Sequence, residues 1–317
     1  MFPKMRGGHM YWNLSKSMAA VWCLTLLTTS LVHAHITAKQ DYYGKDFQGQ
    51  VQSGQLKNEQ LLDTLFHIVS DAHIKTKGAE DTLATNCQSA SLKPDQNCIQ
   101  HTALGYDGAR KQMFGNIHLK QKADGTYYVK DVYCEKDFTD ADFGLKGKGS
   151  DIGPGIIPGD GSILNCEHTW PQSRFTSRFP TELQKSDLHH LFPSDSEMNS
   201  HRSSLHFGEV DKDMEKLKCS QNRLGRGTGN AGTVFEPPVA HRGNVARAIF
   251  YFATRYKMKV GGAEEATLRI WNHDDPVDAE ELKRNDQVED LQGNRNPFVD
   301  FPELVDQVGS FTFTTSK

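Results

Sequence analysis

The chain has 317 residues, 37% of them hydrophobic and 24% charged, which is ordinary globular composition with ample length for a buried core. Its formal net charge of −4 argues against a basic surface spread over the whole molecule. Any nucleic-acid site must then be a local basic patch, and its grip must weaken with salt.

At the N-terminus, Lys4, Arg6 and Lys16 precede an apolar stretch from Met18 to Leu31, and Val32-His33-Ala34 fits a cleavage site. Residues 1–34 therefore read as an export signal cut after Ala34. Thr25, Thr28, Thr29 and Ser30 interrupt the apolar run, which is short for a membrane span. No later stretch is long or apolar enough to be one. Losing the leader removes three basic residues and no acidic one, so the mature chain is more acidic still. It keeps Cys87, Cys98, Cys134, Cys166 and Cys219. An exported chain meets oxidising conditions, so disulfides are expected. Cys87 and Cys98 flank a short polar loop and are the first choice of pair; the odd count leaves one thiol over, and which one stays open.

Leu61, Leu62, Leu65, Phe66 and Val69 recur at helical spacing and predict a helix over 56–74. A second short helix is expected over 106–114. Thr126 to Tyr133 is rich in β-branched and aromatic residues after an Asp124-Gly125 turn and predicts a strand. Residues 146–161 read as a glycine-rich loop. Two short apolar segments follow, 162–166 and 187–192, separated by a polar loop that carries Arg174 and Arg178. Ser194-Asp195-Ser196-Glu197 has the capping-box pattern that starts a helix. The local order is strand, loop, strand, helix, with Asn199 in the first turns of that helix. Residues 218–232 read as a basic, glycine-rich loop. Val245 to Met258 predicts the most apolar helix of the chain, and 264–271 and 278–291 two more. Gly293 would stop the last one. The whole is α+β with helices dominant, a single domain over 35–317.

The chemistry concentrates in Asn165-Cys-Glu-His-Thr-Trp-Pro-Gln-Ser173, Asp187-Leu-His-His-Leu-Phe-Pro193 and Asn199-Ser-His-Arg202. Phosphodiester hydrolysis needs a base for water, positive charge beside the phosphate and help for the leaving oxygen. Glu167 and Asn199 are hard oxygen donors suited to Mg²⁺, which takes few protein ligands and keeps several waters. His168 is suited to accept the proton of the attacking water. Neighbouring strand residues point to opposite faces, so Glu167 and His168 can share a site only where the strand ends or turns, which Trp170-Pro171 would allow.

The runs CEHTWPQS, SDLHHLFPSDSEMNSHRS and FGEV, then EPPVAHRGNVARAIFYFATRY and QGNRNPFVDFPEL, resemble the bacterial endonuclease I family of exported nucleases. GYDGARKQMFG and DGTYYVKDVYC upstream look like it too. The resemblance implies a ββα-metal (His-Me) finger at about 162–204, with His168 as general base. Glu167 and Asn199 would hold one Mg²⁺, or Mn²⁺ or Ca²⁺. DNA and RNA would be cut with little sequence preference, by a monomer. The phosphate-gripping arginine of such a site falls in a variable loop; Arg174, Arg178 and Arg202 are the candidates. Asp187, His189 and His190 would support the groups at the centre. Asn294 could line the cleft or belong to the turn after the last helix. Two other functions compete. A non-catalytic nucleic-acid-binding protein of the same fold would not need Glu167, His168 and Asn199 together. A zinc peptidase would carry H-E-x-x-H, which is absent.

Overall fold

A computed structural model describes residues 41–144, 151–159, 161–229 and 231–313. The predicted leader and part of the 146–161 loop lie outside the described residues. Among those described, no helix is long and apolar enough to cross a membrane.

The first helices are α1 (Phe47–Gln52) and α2 (Asn58–Ser70), the latter burying Leu61, Leu62, Leu65, Ile68 and Val69 on one face. The 56–74 helix expected from periodicity ends four residues early. Ala72–Thr76 instead forms β1, which pairs antiparallel with β2 (Thr82–Ala84) on one side and β3 (Gln96–Ile99) on the other. Ile74 sustains the helical spacing, but its backbone is claimed by two neighbouring strands. Tertiary pairing overrides a local period here. The Cys87–Cys98 disulfide closes this sheet's outer loop, as anticipated.

Helix α3 (Tyr106–Gln112) runs into a π-turn over Met113–Ile117. A small sheet follows, in order β4 (Leu119–Gln121), β5 (Tyr127–Lys130), β6 (Asp137–Phe138). The strand predicted to Tyr133 stops at Lys130 because the Asp131 carboxylate captures the amides of Tyr133, Cys134 and Lys136 and folds them into a turn. Further on lie β7 (Leu164–His168), α4 (Thr181–Lys185), β8 (Leu191–Asp195) and α5 (Ser196–Arg202).

A four-stranded sheet comes next, ordered β10 (Val210–Glu215), β11 (Arg223–Gly227), β12 (Thr233–Glu236), β9 (His206–Phe207). Strand β11 occupies what composition marks as a 218–232 loop. Its glycines have a steric purpose: a Cβ on Gly225 would stand 2.1 Å from the Lys212 carbonyl oxygen of β10. Its arginines pair across the sheet, Arg223 with Asp213 at 2.9 Å and Arg226 with Asp211 at 2.7 Å.

From Arg242 onward the elements are helical: α6 (Arg242–Arg255), α7 (Gly262–Asp274), α8 (Ala279–Gln292), α9 (Pro297–Asp300) and α10 (Leu304–Gln307). Helix α6 is buried over nearly its whole surface and centres the main core, with Ile249, Phe250 and Phe252 fully enclosed. Asp278 caps α8 through Glu281 N, and Gly293 ends it at φ 90°, the left-handed turn glycine supplies. A second core gathers Met113, Phe114, Leu164, Cys166 and Leu191. The β7–β8 pair lies between the two cores, since Trp170 and Met198 at its far side belong to the first.

Candidate active site

β7 and β8 pair antiparallel in unbroken register from Leu164↔Asp195 to His168↔Leu191. Side chains alternate along β7, so Cys166 and His168 share one face and Glu167 takes the other. The strand ends at His168; Trp170 then tucks its ring 5.2 Å from Phe252 of α6 and donates its indole N–H to Arg174 O. Helix α5 starts directly from β8. Its cap is Asp195, whose carboxylate accepts from Glu197 N and Met198 N, one residue beyond the Ser194 that the capping-box pattern marks. Asp131 also takes the Asp195 amide, and the Cys134–Cys219 disulfide ties the adjoining turn to the loop before β11. Cys166 is the thiol left over, and it is buried.

Glu167 is 1% exposed. Arg202, on α5, brings Nη1 to 3.2 Å from its Oε1, yet that oxygen closes no hydrogen bond. Burial pushes the Glu167 carboxyl above its ordinary range, with Arg202 and Tyr133 opposing the rise. From the same helix, Asn199 donates its amide N–H to Cys166 O at 3.4 Å. Asn199 thus meets β7 from the α5 side, to which Glu167 turns its carboxylate. Arg202, one of the three candidates for the phosphate, does not face outward. It is 1% exposed, its guanidinium donates to the carbonyls of His168, Thr169 and Ser203, and it packs 4.5 Å over the Phe207 ring. It neutralises a buried carboxylate and cinches the strand end.

His168 is held by both ring nitrogens. Nε2 donates to the Lys185 carbonyl at 3.1 Å, and Gln172 Nε2 donates to Nδ1 at 3.3 Å. These partners select the tautomer with the proton on Nε2 and the lone pair on Nδ1. The ring lies among those of Tyr106 (5.5 Å), His190 (5.3 Å) and Phe175 (6.3 Å). Burial, then the neighbouring His190, lower its pKa to about 3, so the imidazole is neutral at physiological pH. Gln172, Lys185 and Tyr106 were not singled out from sequence. Gln172 stands four residues after His168 inside the informative run, but nothing local marks Lys185 or Tyr106.

The remaining predicted residues separate into two groups. Arg174 lies 2.9 Å from His206 Nδ1, 3.8 Å from Glu264, and over the Trp170 ring; Arg178 is exposed and donates to Thr176 Oγ1 and Lys257 O. Neither is brought against His168. Asp187, His189 and Asn294 form an interior polar network. The Asp187 carboxylate accepts from Tyr251, Tyr256, Gln292 and the His189 amide, and sits well below the usual carboxylate range. His189 bonds Asn294 O, while Asn294 donates to Val69 O and Tyr251 and is 2% exposed. Asn294 therefore locks the turn after α8 and does not line a cleft. His190 is the member of this run that touches the His168 ring; its Nε2 donates to Gln184 O.

Among the described residues no three His, Cys, Asp or Glu side chains gather as a metal cluster. A Glu–Asn pair is a smaller donor set and suits an ion that keeps most of its waters. The buried Glu167 Oε1 without a hydrogen bond is the kind of atom a divalent cation would satisfy, so the residues present fit the group.

The fold is an α+β assembly built around a short antiparallel pair and its following helix, with a buried carboxylate and a pinned imidazole at successive residues on opposite faces of β7. The chain belongs to the endonuclease I family, whose model matches residues 89–303. It is similar to the extracellular ribonuclease of Bacillus amyloliquefaciens, 34% identical over 163 residues that make up 45% of this chain and 53% of that protein. The extracellular ribonuclease of Bacillus subtilis (strain 168) is 34% identical over 165 residues, again 45% and 53%. An extracellular deoxyribonuclease of Aeromonas hydrophila is 29% identical over 118 residues, 37% of this chain and 49% of that one. The chain spans about half the length of the relatives it matches.

Proposed function

We propose that this protein is an exported, metal-dependent endonuclease that hydrolyses phosphodiester bonds of DNA and RNA with little sequence preference. The β7–β8–α5 unit would serve as its ββα-metal finger. The observation that carries this is the state of His168: Nε2 is spent on the Lys185 carbonyl, and Nδ1 keeps a lone pair at the strand end, next in sequence to Glu167. Nδ1 takes a proton from the attacking water as the new P–O bond forms; the P–O3′ bond breaks and O3′ takes a proton from a water, giving a 3′-hydroxyl and a 5′-phosphate. A pKa of about 3 keeps the ring unprotonated beforehand, and the charge of an arriving phosphate raises its basicity. Glu167 and Asn199 would hold one Mg²⁺ or similar ion, which supplies Lewis acidity to the phosphoryl group when bound. Arg202 opposes the rise that burial imposes on the Glu167 carboxyl and holds the His168 carbonyl, which ties the strand end to α5. Low sequence preference follows if contacts go to phosphate and sugar.

Export is supported by the leader pattern, by two disulfides among the described residues, and by relatives named as extracellular. The test is nicking of supercoiled plasmid in Mg²⁺. His168→Ala, with its circular dichroism unchanged, should cut about 10²–10⁴-fold more slowly, the range of one general base. Wild-type rates in that variant would remove His168 from the reaction.

A further inference from the structure

None of the three arginines anticipated for the phosphate is brought against His168: Arg202 is inside the fold, Arg174 turns Nη1 to His206 and Glu264 while its Nε and Nη2 are buried without a partner, and Arg178 reaches Thr176 and Lys257. A different cation stands beside the imidazole. Lys185 ends α4, and its Nζ lies 4.3 Å over the Tyr106 ring, whose centroid is 5.5 Å from that of His168. Arg110 shares the same tyrosine ring at 5.4 Å but is ion-paired to Asp107 at 3.5 Å. Among the described residues no carboxylate pairs with Lys185, and its side chain is only half-buried. A face of Tyr106 is a weak holding place for an ammonium, which a phosphate can outbid.

Resting on the nuclease assignment, we infer that the Lys185 ammonium receives a substrate phosphate on the His168 side of the site, in the part the sequence suggested for an arginine. One residue then has two separable duties: its backbone carbonyl orients the base, and its side chain grips the polyanion. The second can be removed while the first stays.

The full-length protein with Lys185→Gln and Lys185→Arg tests this on a short labelled DNA duplex. Binding is measured in EDTA across KCl concentrations, and cleavage in Mg²⁺. For Lys185→Gln the slope of log K against log [KCl] should become shallower by about 0.9, one phosphate contact fewer. Its KM should rise several-fold with kcat little changed, and Lys185→Arg should restore the slope. A wild-type slope in Lys185→Gln overturns the inference. So does equal loss in both variants, which would mean the side chain acts by packing around His168. A wild-type protein that binds DNA but never cleaves it overturns the nuclease assignment, and the slope in EDTA still decides whether Lys185 touches phosphate.

Discussion

Two buried carboxylates, Asp187 and Glu167, sit twenty residues apart in sequence and are treated oppositely by the fold. Asp187 is 0% exposed and receives two tyrosine hydroxyls, a glutamine amide and a backbone amide. Those donors hydrogen-bond the charged form, and against burial the imidazoles of His101, His189 and His190 and the Gln292 amide drive its pKa down. Glu167, equally hidden, has a guanidinium at 3.2 Å but one oxygen without a hydrogen bond, and its pKa is driven up. A fully satisfied carboxylate is a structural joint; here it ties the 187–190 turn to α6 and α8. An incompletely satisfied one keeps capacity for a cation from outside. Residue type and burial do not separate the two roles, whereas the count of donors does.

The sharpest way to break this contrast is Glu167→Gln. The isosteric amide should cost about 10²-fold or more in Mg²⁺-dependent plasmid nicking, several kcal/mol of lost metal assistance. Its thermal stability should fall, because the amide leaves the buried Arg202 guanidinium without a counter-charge. Full nicking activity would show that Glu167 holds no ion. Asp187→Asn should cost stability alone. Removing a charge that four donors address should cost roughly 2–4 kcal/mol in urea unfolding, with the rate per folded molecule nearly kept. A stable Asp187→Asn with no activity would move Asp187 into the chemistry.

The imidazoles around both carboxylates give a pH test of intermediate size. His101 and His168 are lowered to about 3, and His189 and His190 to about 4, each chiefly by burial. Between an ordinary value near 6.5 and those values the unfolded chain takes up protons that the native protein refuses. Stability is therefore fullest above about pH 6.5 and falls as pH drops toward 4. Urea midpoints at pH 7.5, 6 and 5 should decrease in that order, and a flat series would mean these rings are not buried neutral. Smallest is the effect of the ion itself. Millimolar Mn²⁺ or Mg²⁺ should raise the Tm of wild type by a few degrees and leave Glu167→Gln unmoved. Equal shifts in both would put the cation elsewhere.

Much of this molecule is legible without coordinates. The long apolar run before Met258 becomes the central helix because an all-round hydrophobic segment has nowhere else to go. Asp278 and Gly293 bracket α8 because capping chemistry is local. The Glu167-His168 pair, the later helix with Asn199 and the Cys87–Cys98 bridge are likewise written in short stretches of chain. What local pattern could not decide were contacts made at a distance. Ala72–Thr76 is a strand because β2 and β3 claim its backbone, and the 218–232 segment holds β11 because its glycines admit β10. Which arginine is free and which is buried depends on what lies opposite. Arg202 turns inward because Glu167 faces α5, and Lys185 comes beside His168 because α4 delivers its carbonyl there. The sequence by itself thus determined the groups proposed for the chemistry and the elements that carry them, since propensity, capping and periodicity act over a few residues. Only the tertiary structure decided which charges are spent and which remain for a ligand, since pairing energy depends on partners that are far apart along the chain.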